Sequence, residues 1–200
     1  MKRRAAILCS GRGSNMAALI TAAQAPAFPV DIALVITNKA DAPALALAEN
    51  LGVPARAIPS KPYGRDREAH ERVIDAALQA HHIELVCLAG YMRILTPFLV
   101  GRWAGRMLNI HPSLLPAYPG LDTHARVLEA GETTHGCTVH LVTEIMDDGP
   151  ILAQARVPVL PGDTEDTLAA RVLAQEHIIY PAALADFARK MPLPEPARHS

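Results

Sequence analysis

An amide and an imidazole two residues apart, running into proline, are the first residues here with chemistry to offer: Asn109-Ile110-His111-Pro112-Ser113-Leu114-Leu115-Pro116. Pro112 cannot continue a strand, so Met107 to Ile110 reads as one. Side chains two apart on a strand share a face, which projects Asn109 and His111 together from its carboxyl end and turns Ile110 the opposite way, into the core. In open α/β sheets that end is where ligands bind. A protonated imidazole beside an amide NH2 has the donors to stabilise a developing oxyanion and to protonate a leaving nitrogen. A histidine in a proline-rich turn is also ordinary structure, and the pair alone leaves both readings open.

A second segment, Ser10-Gly11-Arg12-Gly13-Ser14-Asn15, lies between an apolar run and a helical one. Free backbone N–H groups and the helix dipole favour an anion there. A dinucleotide fingerprint would need glycine where Met16 stands, and the lysine of a P-loop is missing. The segment therefore reads as a cradle for a single phosphate at Gly13, Ser14 and Asn15. The alternative is that the glycines only make the turn and Ser14 or Asn15 caps the helix. A third segment, Asp147-Asp148-Gly149-Pro150, places acids between two strands. A carboxylate close to His111 would keep an imidazolium oriented, although two acids before Gly-Pro also describe a solvated turn. The nine histidines include no His-Glu-x-x-His pattern and the cysteines no zinc spacing. His124, His135 and His140 have no ligand spacing either, so no metal is expected.

Short apolar runs alternate with segments of helical period, the pattern of βα units around a mostly parallel sheet with helices on both faces, a Rossmann-like α/β fold. Strands are predicted at Ala5 to Cys9, Ile32 to Thr37, Leu85 to Ala89 and Met107 to Ile110, then Cys137 to Val142 and Ile151 to Val157. Helices are predicted at Ser14 to Ala23, from an Asp41 N-cap to a stop before Gly52, at Arg67 to Ala80, briefly after the Gly90 to Pro97 loop, near Thr123 to Ala130, and from Asp166 toward Tyr180. Pro59 to Asp66 reads as a polar loop. Scattered prolines mark no internal linker, so residues 1–190 read as one domain and 191–200, rich in proline and polar residues, as a flexible tail.

Half of the 200 residues are apolar, enough for one core burying roughly 70% of the unfolded surface. A formal net charge of −1 provides no general field for nucleic acid, so any anion must be held locally. Cys9, Cys87 and Cys137 sit at unrelated spacings, which suits reduced thiols. Met1-Lys2-Arg3-Arg4 and five apolar residues break at Ser10-Gly11, too soon for a signal peptide, and no run approaches bilayer length. A cytoplasmic protein without membrane contact is expected.

These segments together resemble the phosphoribosylglycinamide formyltransferase family of folate-dependent enzymes, from about Ala6 to Pro181. The most specific blocks are Ser10 to Asn15, Leu88-Ala89-Gly90-Tyr91-Met92-Arg93-Ile94-Leu95, Leu108 to Pro116, Asp147 with Gly149-Pro150, and Gln175-Glu176-His177-Ile178-Ile179-Tyr180-Pro181. The resemblance implies 10-formyltetrahydrofolate as co-substrate, glycinamide ribonucleotide as acceptor, and direct formyl transfer through a tetrahedral intermediate in purine biosynthesis. It implies Asn109, His111 and Asp147 as the catalytic trio and Glu176 as a contact to the ribonucleotide. Its folate pocket would be bordered by Arg67, Met92, Arg93, Ile94 and Leu95, with Thr143, Glu144, Ile145, Met146 and Asp147 as another wall. Leu173 departs from the family, whose members often carry a polar residue there, and no polar contact is assigned to it. The partners expected are small molecules, for a monomer or homodimer. Formyltetrahydrofolate hydrolase and methionyl-tRNA formyltransferase share the Asn-x-His-Pro-Ser-Leu-Leu-Pro logic, but both usually add a domain. From other classes, a dehydrogenase would want the absent third glycine, and a non-catalytic nucleotide-binding module would not need Asn109 with His111.

Overall fold

The run Arg3–Cys9 carries five consecutive fully buried residues from Ala5 onward, as a strand covered on both faces must. In the computed structural model, which describes residues 2–192, this is β1, an interior strand of a seven-stranded sheet. The other strands are β2 (Val30–Thr37), β3 (Ala55–Ala57), β4 (Leu85–Leu88), β5 (Met107–His111), β6 (Thr134–Leu141) and β7 (Ile151–Pro158). Their order is β3-β2-β1-β4-β5-β6-β7. Pairings from β3 to β5 are parallel, and β5–β6 and β6–β7 are antiparallel. The chain leaves β1 first to one side and then to the other, so the crevice between the carboxyl ends of β1 and β4 is the switch point where such sheets bind ligands.

Side chains alternate between two cores. Ala5, Ile7 and Cys9 of β1 meet Met16, Leu19 and Ile20 of α1 (Ser14–Ala23), Ala44 and Ala48 of α2 (Ala44–Asn50), Val127 of α5 (Thr123–Glu129) and Leu168, Val172 and Leu184 of α6 (Glu165–Lys190). Ala6 and Leu8 face the other way, onto Ile74 and Leu78 of α3 (Arg67–Ala80) and Leu99 and Trp103 at α4 (Pro97–Arg102). Each fully buried Leu or Ile stabilises the fold by about 1.5–3 kcal/mol. Tyr180 is completely buried, and its hydroxyl lies 3.0 Å from Leu88 O and 3.2 Å from Leu108 O. It thereby ties α6 to the end of β4 and to β5. Among the described residues, no helix is long and apolar enough to cross a membrane.

Two expectations need correction, and one strand is added. Asp41 is exposed and does not cap α2, whose N-cap is Pro43; proline presets the φ of the entering turn, and Ala44 N–H donates to Gly11 O at 3.2 Å. The last helix does not end near Tyr180. It continues through Pro181 to Lys190 because Leu184, Ala185 and Ala188 are buried beyond it, and that packing outweighs the one backbone bond proline removes. Ala55–Ala57, a strand too short to register as periodicity, extends the sheet beside β2. Of the expected tail, residues 193–200 lie outside the described residues, and Met191 is the C-cap of α6.

Candidate active site

Gly13 makes the first cradle. Its φ is +80°, and a Cβ there would stand 2.9 Å from both Ala44 Cβ and Met16 Cε, so only glycine lets the turn pack against α2 and still enter α1. Ser14 and Asn15 form the first turn of α1, where backbone N–H groups have no intrahelical acceptor. Asn15 Nδ2 donates to Glu176 Oε2 at 2.6 Å. Burial pushes the Glu176 carboxyl above the usual range, opposed by that Asn15 bond. Asn15 Oδ1 is buried without a protein partner.

Ser10 joins this turn to the loop after β4. Its hydroxyl donates to Asn38 Oδ1 at 2.6 Å and accepts from Met92 N–H at 2.7 Å, while Ser10 N–H donates to Gly90 O at 3.1 Å. Met92 and Ile94 stand exposed at 66% and 63%, unusual for large apolar side chains unless something covers them. Arg67 Nη1 donates to Ile94 O at 3.2 Å. In the loop after β6, Ile145 and Met146 are exposed too, beside exposed Glu144 and half-buried Thr143, while Leu95 next to Ile94 is half-buried.

On β5, Leu108 and Ile110 enter the α6-side core, leaving Asn109 and His111 on the opposite face. His111 Nε2–H donates to Tyr118 O at 3.0 Å. Its Nδ1 lies 3.5 Å from Asp147 Oδ2, with both side chains more than nine-tenths buried. This exceeds a hydrogen bond but is an ion-pair separation for a protonated ring. Asp147 Oδ2 also accepts from Gly120 N–H at 2.9 Å. Gly149 explains how the loop returns so tightly: a Cβ there would fall 1.7 Å from Leu141 O. The amide, the imidazole and the acid are thus brought together. Arg67 is tied to the loop after β4 through Ile94 O, whereas the Arg93 side chain turns inward and buries Nη2 without a protein partner.

One member of this cluster escaped the sequence reading. His140 pairs with Asn109 across β5 and β6. Its Nδ1 is 2.9 Å from Leu141 O and its Nε2 is 3.2 Å from Asn109 Nδ2. The carbonyl fixes the proton on Nδ1, so Nε2 accepts from Asn109 and leaves that amide its second N–H. Burial first, and His111 less, hold His140 below the usual imidazole range against Leu141 O and Asp147. The 3.7 Å contact of His140 Nε2 with Asp147 Oδ1 is therefore no ion pair for a neutral ring. The signal was antiparallel register, which a strand pattern does not specify. His124 Nδ1 and His135 Nε2 pair at 3.0 Å, and among the described residues no three or more His, Cys, Asp or Glu side chains gather as a metal site would need.

The loop after β5 is fixed from below. Thr138 Oγ1 donates to Ser113 O at 2.7 Å and accepts from Leu115 N–H and from Gln154 Nε2 at 3.1 and 2.9 Å. Ser113 Oγ donates to Ala117 O, and Thr123 Oγ1 to Pro112 O, both at 2.7 Å. These bonds set Tyr118 O where His111 meets it.

Residues 3–184 match the model of the formyl transferase family. The trifunctional purine biosynthetic protein adenosine-3 of Bos taurus is 49% identical over 183 residues, 92% of this chain, which spans 18% of that protein's length. The phosphoribosylglycinamide formyltransferase of Escherichia coli K12 is 45% identical over 182 residues, 91% of this chain and 85% of that one. The crystal structure of phosphoribosylglycinamide formyltransferase from Brucella melitensis superimposes with a TM-score of 0.90 at 55% identity, covering 96% of this chain and 99% of that one.

Proposed function

Because the chain belongs to the formyl transferase family, in the branch of the phosphoribosylglycinamide formyltransferases, we propose that it transfers the formyl group of 10-formyltetrahydrofolate to the amine of glycinamide ribonucleotide, a step of purine biosynthesis. The observation that carries this reading is the meeting of Asn109, His111 and Asp147 beside the crevice between the Gly13 turn and the apolar Met92 and Ile94 loop.

The phosphate of the ribonucleotide lies on the N–H groups of Gly13, Ser14 and Asn15, with Glu176 on its sugar side. The folate lies against Met92, the backbone of Arg93, Ile94 and Leu95, with Arg67 at the rim and Thr143, Glu144, Ile145 and Met146 across from it. The glycinamide nitrogen attacks the formyl carbon, its new C–N bond forms, and negative charge collects on the formyl oxygen. The free N–H of Asn109 and a protonated His111 stabilise that oxygen. Collapse breaks the bond to the folate nitrogen, which takes up a proton while the attacking nitrogen releases one. His111, directly or through a water, carries that exchange. The ring binds Tyr118 O closely and Asp147 loosely, so its Nδ1 side is the one that opens to substrate at least cost. Asp147 then stabilises the imidazolium. Serine and cysteine nucleophiles have no part: Cys9, Cys87 and Cys137 are buried, with thiols pushed up to about 12 by burial.

The test is to mix the protein with 10-formyltetrahydrofolate and follow folate absorbance with and without glycinamide ribonucleotide. Absorbance change only with the ribonucleotide is expected. Equal formate release in its absence would replace this reading with the hydrolase one, and ribonucleotide binding without transfer would leave only a binding module.

A further inference from the structure

Among the described residues, five buried side-chain atoms have no hydrogen-bond partner from the protein, and three of them, His70 Nδ1, Tyr91 Oη and Arg93 Nη2, belong to α3 and to the loop after β4 that this helix is bonded to. His70 is fully buried on α3. One face of that helix, residues 67, 70 and 71, addresses the loop after β4. Arg67 holds Ile94 O. Glu71 accepts from Thr96 N–H at 2.8 Å and from Thr96 Oγ1, closing the amino end of α4. His70 stands between these two ties and has no bond of its own to the loop.

The three atoms differ in what they offer. His70 Nε2 lies 2.7 Å from Ile58 O, so that nitrogen carries the proton and Nδ1 presents a lone pair. Burial, and then Arg93, hold His70 below the usual imidazole range against Ile58 O and Glu71, which favours the neutral ring. Burial pushes the Tyr91 phenol up, with Arg93 opposing and Glu71 reinforcing, so the hydroxyl stays protonated and can donate or accept. The charges of Arg93 and Glu71 thus bear on both His70 and Tyr91. Arg93 Nη2 only donates. An anion would face the His70 lone pair, and a cation would face the guanidinium. A water satisfies all three by accepting from Arg93, donating to His70 and exchanging either role with Tyr91.

We propose that His70, Tyr91 and Arg93 enclose one structural water that braces the loop Gly90 to Thr96, making His70 a positioning residue for the folate side of the site. The water site stands on the buried atoms alone, and its consequence for folate rests on the function proposed above.

The experiment combines a high-resolution crystal structure with three variants of the full chain, Tyr91→Phe, His70→Gln and His70→Asn. The glutamine keeps the donor to Ile58 O and loses the acceptor, and the asparagine does the reverse. Electron density for a water within about 3.2 Å of all three atoms is expected. Tyr91→Phe and His70→Gln should each raise KM for formylfolate roughly tenfold, the order of one lost hydrogen-bonded bridge. KM for the ribonucleotide and kcat should stay within about twofold, and His70→Asn should retain the lower formylfolate KM. Absent density overturns the site, as does a Tyr91→Phe protein that melts higher than the parent, which is how a hydroxyl without any partner behaves when removed. Density with an unmoved formylfolate KM overturns the positioning role. Should the protein transfer no formyl group, density and melting temperatures still decide the water site while the functional reading fails.

Discussion

Changing Asp147 to Asn keeps the shape of the side chain and an oxygen for Gly120 N–H, and removes only the charge 3.5 Å from His111 Nδ1. Two unit charges at that separation interact by about 5 kcal/mol at an effective dielectric constant near 20. Both side chains are more than nine-tenths buried, so exposed-pair screening removes little of it. The asparagine dipole and solvent relaxation return a part, leaving about 3 kcal/mol of lost stabilisation when His111 is charged in the transition state, roughly a hundredfold in turnover. The assay is kcat with both substrates saturating, alongside KM for the ribonucleotide, which should hold because Asp147 is no part of the Gly13 turn. Asp148→Asn is the internal control: Asp148 is exposed and should turn over within about twofold of the parent. Turnover of Asp147→Asn within threefold of the parent, or equal losses in both variants, would refute the assignment of Asp147 to the imidazolium.

Asn109→Ala should cost roughly a hundredfold to a thousandfold in kcat through a lost oxyanion donor; a change below threefold in steady-state turnover would remove Asn109 from the mechanism. Gly136→Ala would set a Cβ 2.0 Å from Ala155 O, backbone that cannot step aside, and should lower the melting temperature by about 6–12 °C for a loss near 3 kcal/mol. Acid should destabilise the fold through histidines buried neutral. Burial first, then His124 and His111, lower His135 to about 4, so its contribution is complete above the unfolded value near 6.5 and is lost as pH falls from there to about 4, roughly 3 kcal/mol in all. Urea unfolding between pH 7.5 and 4.5 should show this fall and a shallower one for His135→Gln; parallel curves would contradict it.

Helices α1 and α3 were legible to the residue, because Gly13 and Asp66 mark their starts and each buries one regular face. The alternation of strands and helices likewise disclosed the mostly parallel sheet. What escaped was decided by tertiary contact. Pro181 reads as a stop and is overridden by Leu184 and Ala188, which find a core only once α6 lies across the sheet. Ala55–Ala57 is a strand only because Val35 to Thr37 present a free edge to it. At the site, residues two apart could be placed on one face from sequence alone, which was enough for Asn109 and His111. Nothing local indicated that His140 would meet Asn109, since that depends on the β5–β6 register, nor that Tyr118 would supply a backbone carbonyl to His111.

Backbone conformation points to the same two loops as the side chains do. Among the described residues, four other than glycine have positive φ: His82, Tyr118, Asp122 and Asp147. Tyr118 and Asp122 lie in the loop after β5 and Asp147 in the loop after β6, and each costs on the order of 1–2 kcal/mol relative to ordinary backbone. Such conformations persist only where the surroundings over-determine them, and the holding contacts are identifiable. Arg126 N–H donates to Asp122 O at 3.0 Å, His111 holds Tyr118 O, and Gly120 holds Asp147 Oδ2. The last two are bonds of the cluster itself, so the imidazole is not a passenger in a rigid loop. Its own hydrogen bond helps keep Tyr118 in the left-handed region, and the carboxylate that faces it helps keep Asp147 there. A ligand that approaches the Nδ1 side therefore leaves Tyr118 held, whereas one that pulled the whole ring out of place would have to release Tyr118 from the left-handed region as well.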